Sequence, residues 1–212
     1  MGGMAYIGPR RVMPLCVASI QYSGFLEKLR HNRMIPRNDL NENFQQTRFF
    51  VKTGHGALGL DNSEKEVLGV IDNEPTSIND ISRALKRPPS SSILDSLIQK
   101  RLVQAIGFTP TDALHVRGEY DAWDGEAAHR GAEMLSRVSR MGKYEFCDHI
   151  KDKVAKNMAL NLLSFILPDT AKSAIENILG GEYPVKFNLE IPVVMIGGPV
   201  RSYLNELNRI IE

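Results

Sequence analysis

Apolar residues along this chain recur at helical spacing far more often than they alternate. From about Ser23 to Arg33, Phe25, Leu26 and Leu29 stand three or four apart, which predicts a helix ending before Pro36. Ahead of it, Ala5–Leu15 reads as short extended pieces bounded by glycine and prolines. Residues 39–46 are polar and predict a loop. Thr47–Lys52, with Phe49, Phe50 and Val51, predicts a strand closed by Gly54 and Gly56.

Three short helices follow. The first, Ser63–Asn73, turns Val67, Leu68, Val70 and Ile71 inward, with Ser63 and Glu66 at capping-box spacing. The second starts at a cap on Thr76 or Ser77 and runs to Lys86, carrying Ile78, Ile81 and Leu85. The third, Ser90–Arg101, lines up Ile93, Leu94, Leu97 and Ile98. Pro75 and the Pro88-Pro89 pair separate them, because proline lacks the N–H that a helix interior needs. Leu102–Phe108 then alternates as a strand, and three helices followed by a strand is the plan of a winged helix-turn-helix.

Thr109-Pro-Thr-Asp112 ends that strand and caps a helix from Ala113, with Thr111 or Asp112 as N-cap. Gly125–Arg140 predicts a helix whose inner stripe (Ala128, Gly131, Ala132) lets a neighbour approach closely. In Tyr144–Leu167 the stripe is Cys147, Ile150, Val154, Met158, Leu162 and Ile166, and its second half, apolar nearly all round, predicts deep burial. Asp169 or Thr170 restarts a short helix to Leu179, ended by Gly180-Gly181. Val193–Ile196 predicts a buried strand that turns at Gly197-Gly198 into a helix over Val200–Ile211. The expected class is α/β and helix-rich.

Composition narrows the function classes. At 212 residues, 42% of them apolar and 24% charged, the chain has material for one large or two small folded domains, and wholesale disorder is excluded. A net charge of +1 gives no global electrostatic case for nucleic acid or an acidic membrane as partner. Met1–Ile20 lacks the continuous apolar core of a secretory signal, and the most apolar run, Met158–Leu167, is about half the roughly 20 residues that cross a bilayer. A cytoplasmic location is expected, with Cys16 and Cys147 as reduced thiols.

Chemistry concentrates in Gly107–Gly118. Thr109, Thr111 and Asp112 suit three tasks there: holding a hydrated magnesium ion, orienting water, or hydrogen-bonding a polar substrate. They equally suit plain helix capping. His115 stands one turn on, with no second histidine at metal spacing, so no protein-held metal site is expected. Gly197-Gly198 suits close approach of a nucleotide to a helix start, or simply a tight turn. A P-loop is excluded, since Gly54-His-Gly-Ala-Leu-Gly59 has no lysine, and no Gly-x-Ser-x-Gly elbow occurs. The third short helix offers Ser91, Ser92, Asp95, Gln99 and Lys100 on its outer face, a poor supply of positive charge for DNA, although Arg83, Lys86 and Arg87 precede it.

Three motifs in order, Ile7-Gly-Pro-Arg-Arg-Val-Met-Pro-Leu15, Phe108-Thr-Pro-Thr-Asp-Ala-Leu-His-Val-Arg-Gly118 and Ile196-Gly-Gly-Pro199, together with the helical segment between the first two, resemble the hydantoinase/oxoprolinase family. That family is similar to the actin/Hsp70/sugar-kinase ATPases. The resemblance implies a partial ATPase-type α/β core over residues 1–60 and 109–212, with a winged-helix-like unit inserted at 61–108. It implies ATP and Mg2+ as cofactors of the complete enzyme and a small cyclic amide, a hydantoin or 5-oxoproline, as substrate. ATP would phosphorylate the amide oxygen and open the carbonyl carbon to water. Gly197 and Gly198 would border the adenosine, and Thr109, Thr111 and Asp112 match the Thr-Asp motif. Neither Asp-x-Gly-Gly-Thr-like phosphate hairpin of the superfamily occurs in the chain. An internal fragment is therefore expected, inactive alone and completed by further parts of its own chain or a second subunit. The alternative is a non-catalytic binding or regulatory module centred on the winged-helix-like unit.

Overall fold

Phe49, Phe50 and Val51 point alternately into two apolar layers, and the architecture is built on that alternation. The structure, a computed structural model, describes residues 12–33, 43–56, 58–182 and 187–211. Residues 7–11 of the first motif and residues 39–42 of the predicted loop lie outside them. Strands β1 (Val12–Pro14), β2 (Phe49–Lys52), β3 (Thr76–Ser77) and β4 (Val103–Gly107) form one mixed sheet in the order β1-β4-β2-β3. β1 runs parallel to β4, pairing Val12 with Ala105 and Pro14 with Gly107. β2 runs antiparallel to both neighbours, pairing Phe49 with Ile106 and Phe50 with Ala105.

The register sorts side chains by face. Phe50, Val103 and Ala105 meet Val67, Ile71, Ile78, Ile81, Leu94 and Leu97 of the segment Asn62–Gln99, which holds α3 (Asn62–Val70), α4 (Ile78–Leu85) and α5 (Ser91–Gln99). Phe49, Val51 and Ile106 meet Leu15, Ala18, Phe25, Leu29, Ala127 and Met134 on the other side. That layer consists of α1 (Leu15–Gln21), α2 (Phe25–His31) and α7 (Gly125–Ser139). Each large apolar side chain so buried contributes roughly 2 kcal/mol before chain entropy is counted. The chain is thus α/β and helix-rich, and the three-helix segment shares its sheet with strands from outside it.

Behind the second layer stand α6 (Pro110–Arg117) and α8 (Lys143–Ile166). They enclose Cys16, Ala113, Val116, Ala128, Ala132 and Cys147. Small residues matter most at Gly131, which is buried. A Cβ built there would lie 2.9 Å from Phe108 Cδ2 and closer still to Leu15 Cδ1. At 1.5 Å per residue, the 24-residue α8 runs about 36 Å. Its far half packs on α9 (Lys172–Leu179) and α10 (Leu204–Ile210) through Ala159, Leu160, Leu163, Ile175 and Leu207.

Several expectations are corrected. Leu15, expected at the end of an extended piece, opens the helix Leu15–Gln21. The first short helix is capped by Asp61, whose carboxylate accepts from Glu64 N at 2.8 Å while Glu64 returns the bond to Asp61 N at 3.0 Å; Ser63 and Glu66 are not its capping pair. On α8 the buried positions are Cys147, Lys151, Ala155, Ala159, Leu160 and Leu163, offset from the predicted stripe, and its second half is not sealed, since Phe165 is 85% exposed. Ala171 rather than Asp169 or Thr170 precedes the next helix. The buried strand at Val193–Ile196 does not form. No described strand lies beside it to take its backbone hydrogen bonds, and Val194 and Ile196 are 83% and 92% exposed.

Candidate functional site

Pro14 precedes α1 and has no side chain able to cap it. The cap comes from 97 residues away. The Asp112 carboxylate, fully buried, accepts from Leu15 N at 3.2 Å and Cys16 N at 2.9 Å, the first two N–H groups of α1. It also accepts from Thr109 N at 2.8 Å and Thr109 Oγ1 at 2.9 Å, at the start of its own helix α6. The N-cap of α6 is therefore Thr109, with Pro110 in the first turn and Asp112 at the third helical position, rather than Thr111 or Asp112.

Every polar group around Asp112 is a donor, and the partial positive charges of two helix starts converge on it. Burial raises its pKa above the ordinary aspartate value, while the bonds from Cys16 and Thr109 pull the other way. The ionised form is the one that satisfies these donors. Such a carboxylate has no lone pair left for a hydrated magnesium ion and no path to solvent, so Mg2+ does not fit at Asp112. Among the described residues no group of three or more His, Cys, Asp or Glu side chains could hold a metal ion.

Thr109 is half-buried, with its hydroxyl proton committed to Asp112. Thr111, also half-buried, bonds to no other described side chain. His115 lies one turn further, 7% exposed, under Tyr120 and Trp123 at centroid distances of 5.4 and 6.2 Å. Both cysteines are free and buried. Burial lifts the Cys147 thiol to about 11 and raises Cys16 further, with Asp112 adding to it, which disqualifies both as nucleophiles at neutral pH.

Gly197 stands apart from this cluster, and no hydrogen bond among the described residues joins it to Thr109–Asp112. Its φ of +146° belongs to glycine, and an added Cβ would lie 3.1 Å from Val200 Cγ2. The conformational requirement falls on Gly197. Gly198 opens a 3-10 turn, Gly198–Tyr203, that leads into α10, so the helix start behind the glycine pair is a tight turn rather than an α-helix.

Sequence reasoning missed the groups that bind these parts together. Lys151, whose side chain is 7% exposed, donates to both Glu119 carboxylate oxygens at 2.7 Å and to Glu206 Oε1 at 3.1 Å. Ser202 Oγ donates to the Glu119 carbonyl at 3.3 Å. The signal was legible in hindsight: Cys147, Lys151, Ala155 and Ala159 recur every four residues, which sets the lysine on the buried face.

The surface offered to DNA is weaker than its sequence. Arg83 pairs with Asp80 at 2.8 Å, Arg87 with Glu66 at 2.5 Å and Lys100 with Glu64 at 2.6 Å. On α5, Asn43 Nδ2 donates to Ser91 Oγ and Asp95 Oδ1. No described helix is long and apolar enough to cross a membrane. Comparison of the chain with family models, with curated proteins and with solved structures finds no match.

Proposed function

We propose that the chain is a portion of an ATP-dependent cyclic-amide hydrolase of the hydantoinase/oxoprolinase type. The observation that carries this reading is the Asp112 junction. Of the three motifs in the resemblance, the described end of the first (Val12–Leu15) pairs through β1 with β4, the strand that leads into the second (Phe108–Gly118), and Leu15 N and its neighbour Cys16 N donate to Asp112 of the second. Motifs nearly a hundred residues apart that meet at one buried carboxylate behave as one constellation.

In this reading Asp112 is a positioning residue. It holds the starts of α1 and α6, and beside it the half-buried Thr109 and Thr111 meet the substrate, Thr109 as an acceptor because its proton is given to Asp112. Gly197 and Gly198 border the adenosine, where the backbone at Gly197 lacks a Cβ and is exposed. The phosphoryl donor makes the amide carbonyl attackable by water. Without phosphate hairpins in this sequence, the nucleotide is held weakly.

The alternative is a non-catalytic winged-helix binding or regulatory module, and its DNA-binding form is disfavoured by the pairing of Arg83, Arg87 and Lys100 with carboxylates. A nitrogen-edited NMR titration decides between them. Millimolar MgATP is expected to shift the Gly197 and Gly198 amides and leave α5 unmoved. Shifts confined to α5 on adding random duplex DNA, with silent glycines, would reverse the assignment.

A further inference from the structure

We propose that the segment between α6 and α7, Gly118–Asp124, is a strap that opens when His115 takes up a proton. The strap is fastened at both ends. Near its start, the Glu119 carboxylate holds Lys151 on α8 and the Glu119 carbonyl accepts from Ser202 in the 3-10 turn. At its far end, Asp124 accepts from the Ser19 hydroxyl on α1 and, at 2.9 Å, from Glu126 N at the start of α7. Between the anchors, Tyr120 and Trp123 pack edge to face at 5.4 Å and roof the imidazole.

The ring under this roof is badly placed to carry charge. His115 Nε2 is buried and has no hydrogen-bond partner among the described residues. A neutral ring loses one bond there, but an imidazolium needs an acceptor for each of its two N–H groups. The charged groups around it are Asp112 on its own helix, Asp121 and Asp124 on the strap, and His129 on α7, which contacts Lys143 Nζ at 3.4 Å. Asp112 is saturated by other donors, and Asp124 is engaged with Ser19 and Glu126. Asp121 is exposed and is not bonded to Nε2. Burial holds the His115 pKa below the ordinary histidine value of 6.5, the carboxylates oppose it and His129 adds to it. Protonation therefore favours the conformation in which water or Asp121 meets Nε2, with Tyr120 and Trp123 swung aside. Because Glu119 also grips Lys151 and Ser202, an open strap loosens the tie between α6 and the turn that carries Gly197-Gly198.

Trp123 is the only tryptophan of the chain, so the strap reports on itself. The experiment follows acrylamide quenching and the emission maximum from about pH 7.5 to about pH 5, with far-UV circular dichroism as the control for global unfolding. Since the indole is already 41% exposed, full release raises the quenching constant by about twofold and shifts emission to the red. That rise, with a midpoint below the ordinary histidine pKa and unchanged circular dichroism, is the expected result. It is expected to vanish in both His115→Gln and His115→Phe. Should neither variant fold, amide hydrogen exchange of the wild type decides, with faster exchange at acid pH, after correction for the intrinsic rate, confined to residues 118–124. Three results overturn the strap: intensity loss without greater acrylamide access, a rise that persists without His115, or exchange that accelerates uniformly.

Discussion

Replacing Asp112 with alanine tests the junction at its centre. The substitution removes the acceptor that Leu15 N, Cys16 N and Thr109 N use among the described residues, and leaves the Thr109 hydroxyl to rotate elsewhere. Leu15 and Cys16 are fully buried, so water does not replace the lost partner for their N–H groups. Thr109 is half-buried, and its N–H can be hydrated in part. Two orphaned buried donors cost about 1–3 kcal/mol each, and losing the cap of α6 costs about 1 kcal/mol more, for a total of about 3–7 kcal/mol. That is a large share of the roughly 5–15 kcal/mol of a typical domain. The assay is equilibrium urea unfolding by circular dichroism, read as a lower midpoint at unchanged slope. Thr109→Val, which exchanges only the hydroxyl for a methyl, should lose about 1 kcal/mol and serves as the internal comparison. A loss below about 1 kcal/mol for Asp112→Ala would refute the reasoning, because it is what a solvated cap would give.

Further outcomes are expected elsewhere in the molecule. Gly131→Ala forces its new methyl against Leu15 and Phe108 and should lower stability by about 1–2 kcal/mol after the gain in helix propensity, measured as a fall in Tm. Lys151→Met strands Glu119 and Glu206 and should cost about 3 kcal/mol, with α10 the first element to lose amide-exchange protection. Glu64 is held at about 2, below the usual 4.5, first by its hydrogen bond from Lys100, then by those from Ser96 and Asp61 N. Its stabilisation is present above the ordinary value and drains away as pH falls toward the folded one. Glu64→Gln should flatten that acid limb of the stability curve, and an identical limb in the variant would assign the acid sensitivity to other groups. Gly197→Val should destabilise α10 and the turn before it, whereas Gly198→Val should do less, since the strained φ belongs to Gly197.

What the sequence revealed and what it hid divide along one physical line. Helices with their own periodicity were legible: α3, α4 and α5 carry their apolar residues at the expected positions, and Ser77 caps α4 as its hydroxyl chemistry suggests, although α3 is capped by Asp61 and not by Ser63. α1 was not legible, because its cap, Asp112, comes from another part of the chain. The same residue was conspicuous as chemistry, but only three-dimensional structure shows its lone pairs filled. Val193–Ile196 has strand composition, yet a strand exists only beside a partner, and composition is blind to partners. On α8 the buried Lys151 shifted the apparent stripe, since a charged residue is discounted in a hydrophobic pattern even when two glutamates hold it inside. Thr109 and Thr111 lie beside the junction and Gly197 does not, so the candidate site is only partly assembled by the described residues.

The proposed activity is tested most directly by counting ATP against opened rings. The chain would be supplied with the two missing Asp-x-Gly-Gly-Thr hairpins, in the same polypeptide or as a second subunit, and given MgATP with 5-oxoproline or a hydantoin. One ADP should be released per ring opened, with that turnover lost in Gly197→Val and absent from the 212 residues alone. A folded, hairpin-bearing protein that binds MgATP and opens neither ring, or ring opening by the isolated chain without ATP, would contradict the proposed activity.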